Sequence, residues 1–368
     1  MSKVVPVGHN DTLLWGMSSH ERLRRISAAR GMELVPGIDG NDAILVNLAY
    51  AFDPPWLSYI KGETDTLITH GGIPVLANAT GAAQKAIAEA MEAGRQIGDQ
   101  PGLRILAQEN MDLANNELRK RERPFMDRLH PGSVRSLERA SYFGAYKGVT
   151  DILTKYLWPE WALVLTRIFA RIGATPNMVT ALGAILCITA TVLFYEGWFW
   201  TGLAAGLGFM VLDTVDGKLA RCTITSSWWG NIFDHGIDLI HPPFWWYAWG
   251  VGLAAYGRPL SDQTFWEVMI VIVLGYGLQR LIEGIFMRMF KMHIHVWRRF
   301  DSQFRLITAR RNPNMVILFV SLLLGRPDLG LIAVAGWTVI SLGVHFVQLM
   351  QALRARSKGL PVRSWLAG

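Results

Sequence analysis

Residues 213–238 read DTVDGKLARCTITSSWWGNIFDHGID, and four aspartates in this stretch indicate what kind of protein the chain is. Asp213 and Asp216 are three residues apart, and Asp234 and Asp238 are four apart. On helices these spacings place each pair on one face. Because only a short connection joins the two pairs, all four carboxylates can converge at one depth. Carboxylates at such close range need a cation to stay ionised, and hard divalent ions that prefer oxygen ligands are the natural partners.

The aspartates lie inside a long apolar part of the chain. A bilayer crossing needs about 20 mostly apolar residues, and residues 176–195, 239–257 and 329–353 contain no Asp, Glu, Lys or Arg. Three further apolar segments are shorter or are interrupted by charge. We therefore predict an α-helical integral membrane protein with six transmembrane helices, at residues 176–197, 199–221, 228–257, 263–288, 312–325 and 328–353. Ionisable groups inside such spans are costly and usually mark function.

Lys and Arg are distributed unevenly around the predicted spans. With the N-terminus inside, the outside loops carry only Glu196, then Arg258 with Asp262, then Arg326 with Asp328. The inside segments carry most of the remaining Lys and Arg of this region. This positive-inside pattern predicts a multi-pass protein of the cytoplasmic (inner) membrane, with both termini and the carboxylates facing the cytoplasm.

The segment ahead of the first span is basic. Residues 118–147 carry eight Lys/Arg and three acids, and apolar side chains then recur at roughly helical spacing. These side chains are Trp158, Trp161, Leu165, Ile168, Phe169 and Ile172, with Arg167 and Arg171 between them. We predict an interfacial helix that lies on an anionic leaflet. The alternative is a solvated run of charges.

Composition divides the chain into a soluble part and a membrane part. Hydrophobic residues make up 51% and charged residues 18% of the chain, and the mean hydropathy is +0.23. Residues 1–117 carry 9 Lys/Arg against 14 Asp/Glu, a net −5, whereas residues 118–368 carry 27 against 15, a net +12. Two cysteines exclude a disulfide framework, and the first residues lack the features of a signal peptide. We predict a soluble α/β N-terminal domain, juxtamembrane and interfacial helices, a six-helix domain and a cytoplasmic tail, over 1–117, 118–175, 176–356 and 357–368.

Small residues and one arginine accompany the aspartates. Gly217, Ala220 and Gly230 keep large side chains away from the acids, so that a flat or phosphorylated ligand can approach the backbone. Arg221 supplies a planar fork suited to phosphate oxygens. Together with a cation, these residues describe a site for a nucleoside diphosphate. The alternatives are a membrane transporter or ion-binding protein that uses the aspartates as a cation relay, which needs neither glycines nor arginine, and acids that only cap helix ends.

The same stretch resembles the CDP-alcohol phosphotransferase (CDP-alcohol phosphatidyltransferase) family at every fixed position of its motif, D-x2-D-G-x2-A-R-x8-G-x3-D-x3-D. The likeness extends over roughly residues 150–355 and includes the spans and the interfacial helix. It implies a divalent-metal-dependent membrane enzyme of phospholipid or related phosphodiester biosynthesis. Such an enzyme moves a substituted phosphate from a CDP-alcohol to a hydroxyl acceptor and releases CMP.

The resemblance also implies roles for individual residues. The ligands of a two-metal Mg²⁺ or Mn²⁺ site would be Asp213, Asp216, Asp234 and Asp238. The residues that line the CDP pocket would be Gly217, Ala220, Arg221 and Gly230. Asp238 would also be the general base that deprotonates the acceptor hydroxyl, whose oxygen attacks the phosphorus bonded to the alcohol. Two metal ions suit this chemistry because they neutralise a pyrophosphate and stabilise the leaving oxygen.

The motif does not specify the acceptor. Basic residues between the fourth and fifth spans are Lys291, Arg298, Arg299, Arg305, Arg310 and Arg311. Phosphatidylinositol-phosphate synthases belong to the CDP-alcohol phosphotransferase family that this stretch resembles. In those enzymes, arginines in this region hold a phosphorylated acceptor. The alternative is that these residues only make the inside loop positive. Arg280 and Glu283, one turn apart, are predicted to pair with one another or to line the cavity.

Residues 3–117 alternate short apolar runs with helical stretches, which predicts an α/β domain. The strands are predicted at 3–8, 32–35, 42–52, 64–72, 73–78 and 103–108, and the helices at 18–31 and 81–98. The segments HERLRRISAARGMELV and AILVNLAYAFDPPWLSYI are similar to sugar nucleotidyltransferases. The opening VVPVGHNDTLLWG lacks the glycine-rich loop of that family, and the strand end at 46–49 lacks its acidic metal ligand. The domain therefore resembles a nucleotidyltransferase that no longer catalyses.

This domain leaves the donor open. If it descends from a fusion that made and then used a CDP-polyol, the donor is a CDP-linked polar alcohol rather than CDP-diacylglycerol. Alternatively the domain serves dimerisation or regulation. The expected partners are the CDP-linked donor, an alcohol or lipid acceptor and membrane lipids, with a homodimer left open and no nucleic acid.

Overall fold

The structure is a computed structural model that describes residues 2–38, 43–98, 101–111, 113, 124–146, 148–226 and 228–367. The chain forms two compact units. The first comprises Met1–Tyr146, Thr166–Thr175 and Lys218–Ser226, and the second comprises Lys147–Leu165, Pro176–Gly217 and Ser227–Gly368. The predicted boundary at residue 117 and the basic run at 118–123 lie outside the described residues. The predicted domain limits therefore stay a prediction.

Six strands form one mixed sheet in the first unit. They are β1 (Ser2–Val7), β2 (Met32–Leu34), β3 (Ala43–Asn47), β5 (Thr66–His70), β6 (Ile73–Ala79) and β7 (Arg104–Ala107), in the order β2-β1-β3-β6-β5-β7. β1 runs parallel to β2 and β3, β5 runs parallel to β7, and β6 is antiparallel to β3 and β5. Two short strands, β4 (Tyr50–Phe52) and β8 (Met126–Arg128), pair antiparallel in a second sheet.

Helices cover both faces of the larger sheet. They include α1 (Ser19–Ala29), α2 (Pro54–Lys61) and α3 (Gly81–Ala93), and α4 (Val134–Gly144) follows in the same unit. One buried cluster joins Val4 of β1 to Ile26 of α1 and Trp56 of α2. A second cluster contains Val5 and Ile87 of α3. Val4 and Val5 belong to opposite clusters because successive side chains of a strand point to opposite faces, and every residue of β3 is buried.

The α/β prediction for this unit is confirmed, with two local differences. The segment predicted as one strand over 42–52 is two strands, because Asn47 Oδ1 accepts a hydrogen bond from Ala49 N at 3.0 Å and turns the chain between β3 and β4. The helix α2, which begins at two prolines, has no counterpart in the prediction, although Pro is favoured in the first turn of a helix. The resemblance to nucleotidyltransferases stays a prediction.

The chain beyond residue 158 is mostly helical. Its longer helices are α5 (Pro159–Arg171), α6 (Pro176–Tyr195), α7 (Phe199–Cys222), α8 (Trp228–Ala255), α9 (Asp262–Phe290), α10 (Arg299–Phe304), α11 (Arg311–Leu323) and α12 (Pro327–Ser357). In the second unit α6 packs against α8, and α12 packs against both α9 and α11. Helices therefore lie at all six positions that were predicted to cross a membrane.

Three of these helices, α6, α9 and α12, are long and apolar enough to cross a membrane, within the described part of the chain. Their outer faces carry large apolar side chains, such as Ile185 (60% exposed), Leu274 (61%) and Ile340 (54%), which suit lipid better than water. Helix α11 has 13 residues and is therefore about 20 Å long, shorter than a hydrocarbon core of about 30 Å. The count of six spans stays a prediction.

Helix α5 corresponds to the predicted interfacial helix. Trp161 and Ile168 are 54% and 47% exposed, as an outward-facing stripe requires. Trp158, directly before the helix, does not belong to that stripe. It is fully buried, and its indole N–H donates to Thr214 Oγ1 at 3.1 Å. A buried tryptophan usually finds such a partner, so Trp158 is an anchor within the second unit, and the interfacial position of α5 stays a prediction.

Candidate active site

Helix α7 carries Asp213 and Asp216 one turn apart. Asp216 is only 3% exposed, and the hydroxyl of Thr180 on α6 donates to its Oδ2 at 2.6 Å. A buried carboxylate is costly unless it is paired in this way. Gly183 lets the two helices approach closely, since a Cβ at this position would lie 3.3 Å from the ring of Phe209. These residues and Ile237 line one small pocket.

Arg311, the first residue of α11, joins the aspartates of the two helices. Its Nη2 donates to Asp213 Oδ2 and its Nη1 donates to Asp238 Oδ1, each at 2.7 Å. Its Nε donates to Asn312 Oδ1 at 2.9 Å, and the guanidinium carbon lies 4.8 Å from the centre of the Phe209 ring. The structure thus brings Asp213 and Asp238 to one guanidinium, and the convergence of all four aspartates stays a prediction.

The remaining residues of the predicted site lie on helices α7 and α8. Asp234 lies on α8 one turn before Asp238, and its side chain lies outside the described residues. Gly217 follows Asp216 on α7, and Gly230 lies near the beginning of α8. Ala220 and Arg221 lie in the last turn of α7, which belongs to the first unit.

Helix α8 contains two consecutive prolines, Pro242 and Pro243, one turn after Asp238. A proline has no N–H, so the carbonyl oxygens four residues earlier, those of Asp238 and Leu239, lose their helical partners. The hydroxyl of Tyr276 on α9 lies 3.1 Å from Leu239 O and 3.5 Å from Asp238 O. Tyr276 thus stabilises the backbone at the residue that is predicted to be the general base.

A second buried ionic cluster centres on Glu283 of α9. Arg280 Nη2 donates to Glu283 Oε1 at 2.8 Å, as one of the two predicted arrangements requires, and Arg310 Nη2 lies 2.7 and 2.6 Å from its two oxygens. His295 Nε2 is 3.3 Å and His345 Nε2 is 3.9 Å from Glu283 Oε1. Burial holds the pKa of His295 well below its usual range. Glu283 and the two histidines could by spacing hold a metal ion, but two arginines already neutralise the carboxylate.

Three of the six basic residues considered for the acceptor bond to other side chains of the protein. Arg298 donates to Asp301 and Gln351, and Arg310 and Arg311 bond to the carboxylates described above. Sequence reasoning missed the role of Arg311 as the cation between the aspartates. A signal was present, since two consecutive arginines begin α11 and the N-terminus of a helix disfavours positive charge. Such residues need acidic partners from elsewhere in the chain.

The donor set fits a hard divalent cation. Asp213 and Asp238 already share one positive charge, and Asp216 stands one turn from Asp213. Carboxylate oxygens are the ligands that Mg²⁺ and Mn²⁺ prefer. The two cysteines of the chain, Cys187 and Cys222, are free and buried.

Long apolar helices with exposed apolar side chains, and carboxylates of two helices that meet at Arg311, are together typical of a membrane protein with a polar site among its helices. The sequence pattern of the CDP-alcohol phosphatidyltransferase family matches residues 173–344. This part of the chain is therefore a CDP-alcohol phosphatidyltransferase domain, and the resemblance inferred from the motif is confirmed. Members of the family are enzymes of phospholipid synthesis that typically depend on divalent metal.

Individual relatives match this chain over part of their length. Cholinephosphotransferase 1 of Gallus gallus is 33% identical over 127 residues, which cover 32% of this chain and 36% of that protein. Phosphatidylinositol phosphate synthase of Cutibacterium acnes is 30% identical over 122 residues, covering 32% and 57%. A crystal structure of the phosphatidylinositol phosphate synthase of Mycobacterium tuberculosis with CDP-DAG bound aligns at a TM-score of 0.41 and 17% identity, covering 51% of this chain and 92% of that one. The chain thus spans less than two thirds of the first two relatives.

Proposed function

We propose that the protein is a divalent-metal-dependent CDP-alcohol phosphotransferase embedded in a membrane. It transfers a substituted phosphate from a CDP-linked alcohol to a hydroxyl acceptor and releases CMP. The observation that carries this proposal is the junction at Arg311, where carboxylates from two helices of the family's motif meet on one cation. The family match over residues 173–344 supports the same chemistry.

The donor is held by the motif residues. Asp213, Asp216, Asp234 and Asp238 hold the divalent cation, which neutralises the charge of the pyrophosphate when it is bound. Gly217, Ala220 and Gly230 leave room for the cytidine diphosphate group, and Arg221 donates to its phosphate oxygens. We assign two divalent cations to this site because the combined negative charge of four carboxylates exceeds the positive charge of one divalent cation. Mg²⁺ and Mn²⁺ both satisfy an all-oxygen ligand set.

Asp238 is the general base of the proposed reaction. It is the more accessible of the two carboxylates bonded to Arg311, with 44% of its side chain exposed against 17% for Asp213. The acceptor oxygen forms a new bond to the phosphorus that carries the alcohol, and the bond from this phosphorus to the CMP oxygen breaks. The acceptor proton passes to Asp238. Arg311 donates to Oδ1 of Asp238, so the other carboxylate oxygen, Oδ2, takes the proton.

The proposed membrane topology has six spans, with both termini and the active site on the cytoplasmic side of the inner membrane. The distribution of Lys and Arg supports this orientation. The donor is either CDP-diacylglycerol or a CDP-linked polar alcohol, and the acceptor is a lipid or a small alcohol. The N-terminal domain, which resembles a nucleotidyltransferase, supports the second donor class by analogy only.

Release of CMP by the purified protein in nanodiscs tests this proposal. CDP-diacylglycerol and CDP-linked polar alcohols are supplied separately, each with Mg²⁺ and a panel of hydroxyl acceptors. We expect release from one donor class, abolished by Asp238→Asn and by chelation. Asp262→Asn, in the exposed first turn of α9, is the matched control and retains activity. Release that survives Asp238→Asn, or no release from any donor, contradicts the proposal.

A further inference from the structure

The end of α7 has an unusual cap. The helix ends at Cys222, and the N–H groups of Ile224 and Thr225 bond back to Arg221 O at 3.3 Å and to Ala220 O at 2.8 Å. This closure requires a left-handed residue, and Ile224 takes that conformation with φ of 54°. Glycine normally occupies this position, because a β-branched side chain is strained there.

The side chain of Ile224 explains why glycine is absent. It packs against the buried cluster that contains Val4, Leu23 and Trp56 of the α/β unit. Apolar burial therefore offsets the backbone strain, as strained residues require. A glycine would relax the turn but would remove this contact. The choice of isoleucine thus attaches the end of α7 to the core of the sheet.

Two arginines of α1 donate hydrogen bonds to carbonyl groups that do not take part in this cap. Arg22 Nη1 donates to Cys222 O at 3.3 Å, and Arg25 Nη1 donates to Thr223 O at 2.9 Å. Arg22 is 5% exposed and also donates to Phe52 O at 3.0 Å. The last carbonyls of a helix carry partial negative charge and favour cations. The two arginines therefore complete the cap from within the α/β unit.

A third cation lies on the same end of α7 and contacts the end of α4. Lys218, inside the motif, is 3% exposed and donates to Ala145 O at 2.9 Å. Its ammonium lies 3.2 Å from the centre of the Tyr146 ring, a cation–π contact that compensates for burial. The last turn of α7 is thus held on several sides by residues of the first unit.

We propose that the α/β unit is a positioning clamp for the turn of α7 that carries Ala220 and Arg221. Arg22 and Arg25 are its positioning residues, and they act through the backbone of that turn on the pocket for the cytidine diphosphate group. The inference rests on the proposed function, because Ala220 and Arg221 serve the donor only in that reaction. It gives the domain a role that needs no nucleotide site of its own.

Steady-state kinetics of Arg25→Ala in the full-length protein test the clamp. We expect the KM for the CDP-linked donor to rise about tenfold, while kcat and the KM for the acceptor stay within about twofold, since the charge-assisted hydrogen bond to Thr223 O is lost. The bond from Arg25 Nε to Glu21 Oε1 at 2.6 Å is lost as well, and Arg24→Ala tests the effect of removing a cation from Glu21 alone. Arg25→Lys, which keeps a donor, restores most of the donor affinity. Arg24→Ala is the matched control, because Arg24 lies on the same helix, bonds to Glu21 and has a side chain that is 56% exposed.

Hydrogen exchange provides a second readout that does not depend on activity. In Arg25→Ala, the amides of residues 219–225 should exchange faster while those of β3 and β6 stay protected. A donor KM like that of Arg24→Ala, or unchanged exchange at 219–225, overturns the clamp. So does a uniform change in kcat and both KM values together with faster exchange in the sheet, which indicates a general folding defect. If the wild type releases no CMP from any donor, the proposed function fails, whereas the exchange result still decides whether Arg25 holds the turn.

Discussion

Replacing Arg311 with glutamine removes the positive charge that Asp213 and Asp238 share. In the wild type, one guanidinium donates to both carboxylates at 2.7 Å. Glutamine keeps a polar side chain but leaves two carboxylates of different helices side by side without a cation. We expect the metal-free variant to be less stable than the wild type. Divalent metal should restore more stability to the variant, because the metal no longer has to displace a guanidinium.

The size of the effect follows from burial. Removing one partner of a buried ion pair costs about 3–5 kcal/mol, whereas exposed pairs contribute about 1 kcal/mol or less. The side chains of Arg311, Asp213 and Asp238 are 11%, 17% and 44% exposed. Water therefore compensates part of the loss at Asp238, and we expect a destabilisation of about 3 kcal/mol. At about 2–4 °C per kcal/mol, the melting temperature falls by about 6–12 °C.

Thermal melts followed by tryptophan fluorescence measure this difference. The protein is held in detergent with a chelator, and Mg²⁺ is then titrated in. Arg299→Gln is the control, because Arg299 is exposed on α10 and its guanidinium lies over the ring of Trp365 at 5.4 Å. Identical melts of Arg311→Gln and the wild type in chelator would refute the reasoning. An equal gain in stability on adding Mg²⁺ would refute it as well.

Three further substitutions test single contacts. Thr180→Val removes the hydroxyl that bonds to Asp216. We expect the unfolding free energy in chelator to fall by about 1–3 kcal/mol, measured by the same melts. A fall below about 0.5 kcal/mol would contradict a buried carboxylate that depends on this hydrogen bond. Tyr276→Phe removes the donor to Leu239 O. The kcat for CMP release should then fall with little change in the donor KM. An unchanged kcat would show that the backbone of α8 near Asp238 does not depend on this hydrogen bond. Glu283→Gln leaves two partly buried arginines, Arg280 and Arg310, without their carboxylate. Their side chains are 22% and 24% exposed, so the unfolding free energy should fall by about 3 kcal/mol or less. Denaturation in detergent measures this, and a neutral effect would indicate another counter-ion.

Elements with a clear local period could be predicted from the sequence. The strands β1, β5 and β6 and the helix α1 follow from alternating or helical apolar patterns, which each segment carries by itself. The six helical positions of the apolar region follow in the same way. The spacing of the aspartates also places each pair on one helical face, and the motif around them was sufficient to identify the family.

Partners from distant parts of the chain could not be predicted. Arg311 is 98 residues from Asp213 and 73 from Asp238, and no local pattern distinguishes it from the other arginines of its loop. Tyr276 reaches the carbonyls freed by Pro242 and Pro243 only because α8 and α9 pack together. These contacts depend on tertiary packing, which periodicity does not report.

The roles of two residues that determine the local path of the backbone were also hard to predict. Asn47 lies at the end of β3, where its side chain accepts from Ala49 N and donates to Pro74 O. Ile224 occupies a left-handed position that usually requires glycine. Its conformation follows from burial in the α/β core, which the sequence around it does not indicate.

The most direct test of the central claim is the binding of Mn²⁺ in the presence of CMP, measured by electron paramagnetic resonance on the free ion. The claim is that the carboxylates of residues 213–238 form one divalent-metal site for a CDP-linked donor. The signal of free Mn²⁺ should fall when wild-type protein is added, and Asp262→Asn should behave in the same way. Asp213→Asn and Asp238→Asn should lose this binding. Binding by both variants equal to that of the wild type would contradict the claim.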